Sequence, residues 1–175
     1  MLQRVFVDAD VLAARTPFEW LALLCDETED WFQLHSTSGA VAEAVLLWTA
    51  EDPARREGWS GRRHDLLVAS LDEVLATPAG RSEADPADAA AAGGAHVLLS
   101  SRAGEVAGGD ELPFEVYTVD EFLCLLDDTA AAHVRRVTER QQDRHHAGAA
   151  SRGLVESLTG AGCPAFAERV SRHLR

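Results

Sequence analysis

Residues 3–12, with the sequence QRVFVDADVL, decide the fold class of this chain. The run QRVFV at 3–7 is short and apolar, as is typical of a buried strand, and it leads directly into Asp8 and Asp10. A carboxylate at the end of a core strand has no packing rationale, so its presence indicates a functional position. In open parallel sheets the reactive groups collect at the carboxyl ends of the strands. The stretch therefore predicts a central strand with a functional acid directly after it.

Strand patterns and helical patterns alternate along the rest of the chain. Three further apolar runs predict strands at residues 31–35, 96–99 and 114–118. Apolar residues at helical spacing predict helices between and after these strands, at residues 17–27, 39–50, 62–77, 89–94 and 120–128. Strands that alternate with helices form βαβ units, and these give a parallel sheet with helices on both faces. The predicted fold class is α/β, a three-layer α/β/α arrangement with a central parallel sheet plus C-terminal helices.

The pattern divides into an α/β domain over residues 1–128 and a helical extension over residues 129–175. From about residue 130 onward the sequence has the polar, amphipathic pattern of helices throughout. The segment PAFAERVSRHLR places Phe166, Val170 and Leu174 on one narrow apolar stripe. A helix this short is marginal in water by itself, so the stripe must pack against another surface. We expect it to pack on the α/β domain of its own chain.

Composition and charge exclude several classes of protein. The chain has 175 residues, of which 46% are hydrophobic and 26% charged, and this is typical of a globular domain. A formal net charge of −13 argues against a protein that coats duplex nucleic acid, because such a protein needs a basic face to neutralise phosphates. All 16 basic residues are Arg, so every mechanism that requires a lysine is excluded.

The expected location of the chain is the cytoplasm, with no membrane partner. No run of residues approaches the ~18 consecutive apolar positions that a membrane-spanning helix requires. The first residues enter a strand without the pattern of a signal peptide. Cys25, Cys124 and Cys163 are odd in number and stand among apolar residues, as is typical of free thiols in a reducing compartment.

Acidic residues recur near the ends of the other predicted strands. Glu43 lies within the apolar segment AVAEAVLLW, the loop DPAD at 85–88 precedes the strand at 96–99, and Glu105 follows that strand. Carboxylates that are brought together without basic partners repel one another, and their pKa values rise. A bound divalent cation removes this penalty. Oxygen ligands without His or Cys nearby suit Mg²⁺ or Mn²⁺, so the pattern predicts a site for one of these ions.

Several of these motifs together resemble the PIN domain, the fold of metal-dependent ribonucleases that include many prokaryotic toxins. VFVDADVL at 5–12 resembles the opening of that domain, and Glu43 stands where the family carries an acid on a helix. DPAD followed by GGAHVLLSS resembles the family's block of acid, helix and strand, and FEVYTVDEFL resembles its last strand and helix. The segments LDDTAAAHVRRVTERQ and AGCPAFAERVSRHL resemble a helical extension of some actinobacterial PIN-domain proteins. The resemblance covers most of the chain and rests on the order and spacing of the motifs.

The resemblance implies an endoribonuclease that depends on Mg²⁺ or Mn²⁺ and acts on RNA. In this family such an enzyme is often the toxin of a toxin–antitoxin pair, so the implied partners are an antitoxin protein and a second copy of the chain. The implied metal ligands are five acids: Asp8, Glu43, Asp85, Asp88 and Glu105. The implied catalytic residues are three of them: Asp8, Glu43 and Asp88. Contacts to the substrate are expected from Arg15, Ser100 and Arg102.

Two features of the chain depart from the family pattern. Arg102 stands two residues beyond the Ser that ends the strand, where the family often has Asn or Asp, and its cation would oppose a metal ion. The helix between Asp88 and the next strand is several residues shorter than usual, so Asp85 remains an alternative third acid. These departures leave open a second interpretation, a PIN-like module that binds RNA or protein with little or no catalysis.

A third interpretation is a phosphohydrolase of the haloacid-dehalogenase type. The segment DADVL at 8–12 also fits the opening motif of that family, in which Asp8 would be a nucleophile and Asp10 a general acid. Ser100 after HVLL would serve as its second motif. That family further needs a Lys or Arg on a later helix and an acidic pair for Mg²⁺. The chain has no Lys, and the pair at 127–128 follows an apolar helix rather than a strand.

Overall fold

We describe the protein from a computed structural model that places residues 2–29, 31–51, 56–77, 85–108, 111–147 and 153–175, with the side chains of 56–58 and 145–147 excepted. Within these ranges the chain forms five strands, eight helices and one short 3-10 turn (Ala103–Glu105). The strands are β1 (Gln3–Val7), β2 (Phe32–Thr37), β3 (Glu73–Leu75), β4 (Val97–Leu99) and β5 (Glu115–Tyr117). The helices are α1 (Ala9–Ala13), α2 (Arg15–Thr28), α3 (Ser38–Glu51), α4 (Arg56–Ala69), α5 (Pro86–Ala92), α6 (Val119–Ala147), α7 (Leu154–Gly160) and α8 (Pro164–His173).

The five strands form one parallel sheet in the order β3-β2-β1-β4-β5. The chain builds outward from β1 to β3 on one side and then returns to the other side of β1 for β4 and β5. The connection therefore reverses direction between β1 and β4, which makes the ends of these two strands a topological switch point. The predicted fold class, a parallel α/β sheet between helical layers with further C-terminal helices, is confirmed.

The two faces of the sheet are covered unequally. On one face, the alternate strand residues Val5, Val7 and Leu34 belong to a large apolar core with helices α1 to α4 and α6 to α8. On the other face, Phe6 and Leu98 lie in a smaller core that α5 covers together with the segment before β5. Because α5 is short and its buried residues are alanines, the smaller core is thin.

The helix predicted over residues 62–77 is wrong in its second half. Helix α4 ends at Ala69, and Glu73–Leu75 form the edge strand β3 instead of a further helical turn. Asp72 starts this strand, since its backbone N–H donates to Leu34 O and its carboxylate accepts from Leu34 N, both at 2.8 Å. Pairing with β2 therefore overrides the helical spacing of the apolar residues.

The C-terminal helices pack on α2 and α6. Phe166 and Val170 of α8 are fully buried, and the ring of Phe166 meets that of Trp20 edge to face at 5.1 Å. The carboxylate of Asp120 accepts hydrogen bonds from the first N–H groups of α8, at Ala165 and Phe166. Such a cap satisfies N–H groups that have no partner within the helix. The expected boundary between residues 128 and 129 falls inside α6, next to Ala130, where the backbone departs from helical angles.

Beyond this kink, α6 runs back along α2 in the opposite direction. Glu27 near the end of α2 accepts from Arg136 Nε at 2.5 Å and pairs with Arg140 Nη2 at 2.9 Å. The arginine hydrogen bond, together with the charges of Arg140, Arg136 and His133, lowers the pKa of Glu27 against a smaller effect of burial. An ion-pair cluster thus joins the two helices.

None of the helices described here is long and apolar enough to cross a membrane. The three cysteines are free thiols, and only Cys163 is fully buried. Burial raises the pKa of the Cys163 thiol to about 12, with a smaller contribution from Asp120, so this thiol is protonated at neutral pH and belongs to the core.

Candidate functional site

Asp8 lies at the topological switch point, directly after β1. Its backbone N–H donates to Leu99 O at 3.0 Å, so the pairing of β1 with β4 continues to this residue. Its Oδ1 accepts from Ala9 N at 2.7 Å, which makes Asp8 the N-cap of α1. The residue is only 8% exposed. The sheet and the helix together fix this carboxylate at the carboxyl end of the sheet.

Two serines after β4 connect Asp8 with Asp10. The hydroxyl of Ser100 donates to Asp8 Oδ2 at 3.0 Å and lies 3.5 Å from Asp10 Oδ2. The backbone N–H of Ser101 donates to Asp10 Oδ2 at 3.1 Å, and its hydroxyl donates to the same oxygen. We refer to Asp8, Asp10, Ser100 and Ser101 as the two-carboxylate site. It forms because β4 neighbours β1, although the two segments are about 90 residues apart in sequence.

The electrostatics of the site disfavour two negative charges. Burial raises the pKa of Asp8, and the charge of Asp10 raises it further. The N–H of Ala9, the hydroxyl of Ser100 and the charge of Arg102 act in the opposite direction without cancelling the rise. The ionised form of Asp8 is therefore disfavoured by its surroundings, and further positive charge at the site would stabilise it.

One oxygen of the site has no partner. Asp10 Oδ1 is buried and accepts no hydrogen bond from any residue that the structure describes. A buried acceptor without a partner lowers stability, and the loss is larger for a charged group than for a neutral one. A cation bound at this oxygen would remove the loss and would also lower the pKa of Asp8. The donor set, carboxylate and hydroxyl oxygens, suits Mg²⁺ or Mn²⁺.

The described residues contain no group of three or more His, Cys, Asp or Glu side chains arranged to hold a metal ion. Mg²⁺, however, is commonly held by one or two carboxylates, with water and substrate phosphates as its other ligands. The two carboxylates of Asp8 and Asp10 match this smaller requirement. The chemistry of the site therefore fits a divalent ion that keeps open positions for a substrate.

The other predicted acids lie on neighbouring segments. Glu43 is exposed on the second turn of α3, which begins directly after β2. Asp85 caps α5 by accepting from Ala87 N at 3.0 Å, and Asp88 is exposed in the first turn of that helix. Helix α5 ends just before β4 begins, so it runs back along the sheet in the direction opposite to the strands. Its first turn therefore lies near the carboxyl end of the sheet. Glu105 is exposed in the 3-10 turn after β4. The direct contacts at the site join Asp8 and Asp10 through Ser100.

Of the three residues predicted to contact the substrate, one lies inside the site, one lies beside it and one lies beyond α1. Ser100 is buried inside it, and the N–H of Arg102 donates to Ser100 Oγ at 3.2 Å. The side chain of Arg102 is exposed and its charge acts on Asp8. Arg15 is exposed at the first residue of α2, beyond the short helix α1.

Sequence reasoning assigned no role to Ser101, and it gave Asp10 a specific role only in the phosphohydrolase interpretation. The available signal was the paired hydroxyls directly after the strand at 96–99, combined with two acids directly after the first strand. Their contact depends on β1 and β4 being neighbours, and local periodicity does not report which strands pair.

A fold supports many chemistries, so the arrangement of side chains at the site has to indicate the function. Comparison of the chain with protein-family models, with curated proteins and with solved structures found no match.

Proposed function

We propose that this chain is a metal-dependent endoribonuclease of the PIN type, with its active site at the two-carboxylate site. One observation carries the proposal: Ser100 Oγ contacts both Asp8 and Asp10 at the switch point, and Asp10 Oδ1 is buried without a partner among the described residues. This arrangement has the negative charge and the unpaired carboxylate oxygen that a divalent cation would bind. The resemblance of the motif order to PIN domains supports the choice of RNA as substrate.

In this proposal each residue of the site has a distinct role in phosphodiester hydrolysis. Asp8 and Asp10 would hold the ion, and the hydroxyls of Ser100 and Ser101 fix the positions of their carboxylates. When bound, Mg²⁺ or Mn²⁺ supplies a water of lowered pKa and neutralises charge on the phosphate in the transition state. Arg102 beside the site would hold a phosphate oxygen of the substrate.

Two further acids would act on the water. Glu43 and Asp88 stand on helices that start at the carboxyl end of the sheet, and we assign them the proton transfer from the attacking water. Asp85 and Glu105, on segments next to the site, would be additional ligands for the ion. The biological role that we infer is a cytoplasmic toxin of a toxin–antitoxin pair, with an antitoxin protein and a second copy of the chain as its partners.

A cleavage assay tests the proposal. Purified protein is incubated with an end-labelled single-stranded RNA in Mg²⁺, Mn²⁺ or EDTA. We expect cleavage only with a metal ion, and a loss of at least about 100-fold for Asp8→Asn, because removal of an anchoring charge acts on the transition state. Asp143→Asn, an exposed Asp on α6, is the matched control and should keep full activity. Equal cleavage by wild type and Asp8→Asn would contradict the proposal.

The phosphohydrolase interpretation is a second candidate, since Ser100 Oγ lies within 3.5 Å of carboxylate oxygens of both Asp8 and Asp10. A carboxylate nucleophile with an adjacent acid requires such proximity. Release of phosphate from a small phosphomonoester, with no cleavage of RNA, would favour this candidate. If neither substrate is turned over although RNA binds, the chain is the non-catalytic binding module.

A further inference from the structure

A groove of about 820 Å³ runs between α2 and α4 on the outside of the large core. Helix α2 starts near the carboxyl end of the sheet and leads into the start of β2. One end of the groove therefore lies near the carboxyl end of the sheet, and the other lies near the start of β2. The end near the start of β2 is acidic and contains Asp26, Glu29 and Asp72. The opposite end is basic, in a chain whose net charge is −13.

Three arginines from three helices form the basic end: Arg15 of α2, Arg63 of α4 and Arg144 of α6. Glu19 is the acid among them, and its carboxylate lies 4.0 Å from Arg144 Nη1. Arg63 Nε is buried and has no partner among the described residues. Burial and the charge of Arg15 lower the pKa of Arg63, and the charge of Glu19 has a smaller opposite effect. We call these three arginines the arginine cluster; Glu19 supplies one negative charge for three guanidinium groups, so the cluster would gain from a further anion.

An exposed aromatic ring continues the same surface. Trp59 is 58% exposed and lies on the face of α4 that also carries Arg62, Arg63 and Leu66, at positions i+3, i+4 and i+7. The guanidinium of Arg62 lies over the indole ring, 5.6 Å from its centroid. An exposed indole beside arginines is typical of surfaces that bind single-stranded nucleic acid, because the ring stacks on a base while the cations contact phosphates.

The arginine cluster is close to the two-carboxylate site. Arg63 Nη2 donates to Leu12 O at 2.7 Å, two residues after Asp10. Helix α1, which separates Asp8 from Arg15, has five residues and is therefore about 7.5 Å long. A polymer that lies along α4 can thus reach the carboxylates without crossing the sheet.

We propose that Trp59, Arg62 and the arginine cluster form the binding surface for a single-stranded RNA that leads its backbone to the two-carboxylate site. The inference rests on the proposed function, because it assigns the surface that holds the same substrate. Phosphates lie at the arginines, and one unpaired base stacks on Trp59. A duplex cannot offer an unpaired base, so the surface selects single strands. A protein segment is the competing occupant, and the binding measurement below distinguishes it from RNA.

A binding measurement without metal tests this surface separately from catalysis. Fluorescence anisotropy is recorded in EDTA with a labelled single-stranded RNA of about 12 nucleotides, within the usual site size, and with the matching duplex. We expect Trp59→Ala to weaken binding of the single strand about ten-fold, and Trp59→Phe to keep most of the affinity. Arg15→Gln and Arg62→Gln should each reduce the slope of log Kd against log salt by about 0.7.

Matched controls are Trp31→Ala, another exposed tryptophan, and Arg135→Gln, an exposed arginine that pairs with Glu139 on α6. Both should leave RNA binding unchanged. Unchanged affinity and salt slope for Trp59→Ala, Arg15→Gln and Arg62→Gln would overturn the inference and would assign the groove to a protein partner. Equal binding of duplex and single strand would also overturn it. Failure of the proposed function gives a different result: RNA binds through Trp59, but Asp8→Asn does not change cleavage.

Discussion

At the scale of single residues, the structure contains buried polar groups whose hydrogen bonding is incomplete. Asp10 Oδ1 and both ring nitrogens of His35 are buried without partners among the described residues. The Asp10 oxygen lies at the two-carboxylate site, where a bound cation would serve as its partner. The ring of His35 lies inside the smaller core, where it meets Phe6 edge to face at 5.5 Å. We propose a functional explanation for the unpaired oxygen of Asp10, whereas the unpaired nitrogens of His35 have a consequence for stability.

His35 should make the fold sensitive to acid. The residue is 1% exposed, and burial lowers the pKa of its ring to about 4. Nearby charges have smaller effects: Arg4 and His96 lower the pKa further, and Glu73 and Asp72 raise it. Because the unfolded ring titrates near 6.5, only the unfolded state binds the proton between these two pH values. Stability should therefore fall as the pH decreases from about 6.5 towards 4, by about 3 kcal/mol in total.

The measurement is the free energy of unfolding in urea between pH 7 and pH 4.5. Replacement of His35 by Leu should flatten the profile, whereas His64→Gln, at an exposed position of α4, should keep it. An equally steep profile in His35→Leu would show that another group causes the acid sensitivity.

At the scale of elements, ion pairs between α2 and α6 hold the second half of the long helix in place. Glu27 is the shared acceptor, and its side chain is 15% exposed, whereas Arg136 and Arg140 are about half exposed. Glu27→Gln should lower the free energy of unfolding by about 1–2 kcal/mol, because charge-assisted hydrogen bonds to a largely buried acid are lost. Glu139→Gln breaks an exposed pair within α6 and should change it by less than about 0.5 kcal/mol. Equal effects of the two substitutions in urea titrations would contradict this account of the helix contact.

The elements also show how far the sequence determines the fold. The strand before Asp8 and the alternation of strands and helices are predictable, because apolar runs and helical spacing are local signals. The edge strand Glu73–Leu75 is not predictable locally, since its three residues continue the helical spacing of α4 and acquire a strand conformation through pairing with β2. Likewise the position of Asp8 directly after a core strand is predictable, but its connection to Asp10 through Ser100 depends on which strand neighbours β1.

At the scale of the whole molecule, the C-terminal helices complete the large core. Phe166 is fully buried against Trp20, so the two form one apolar contact between α8 and α2. Phe166→Ala should lower the free energy of unfolding by about 3–5 kcal/mol, because it leaves a cavity in a packed core. Leu174→Ala, at the exposed end of the same stripe, should lower it by less than about 1 kcal/mol.

Urea unfolding followed by circular dichroism checks both variants, and size-exclusion chromatography reports their oligomeric state. A fully stable Phe166→Ala with a changed oligomeric state would mean that α8 serves contact with another chain rather than the core.

The most direct test of the central claim, a divalent ion at the two-carboxylate site, is calorimetric titration of Mn²⁺ into the metal-free protein. We predict that wild type and Asp143→Asn bind Mn²⁺ with the same affinity, and that Asp10→Asn binds it at least about ten-fold more weakly, because the substitution removes a charged ligand whose Oδ1 has no partner among the described residues. Equal Mn²⁺ affinity in wild type and a folded Asp10→Asn, or no measurable binding by wild type, would contradict the claim.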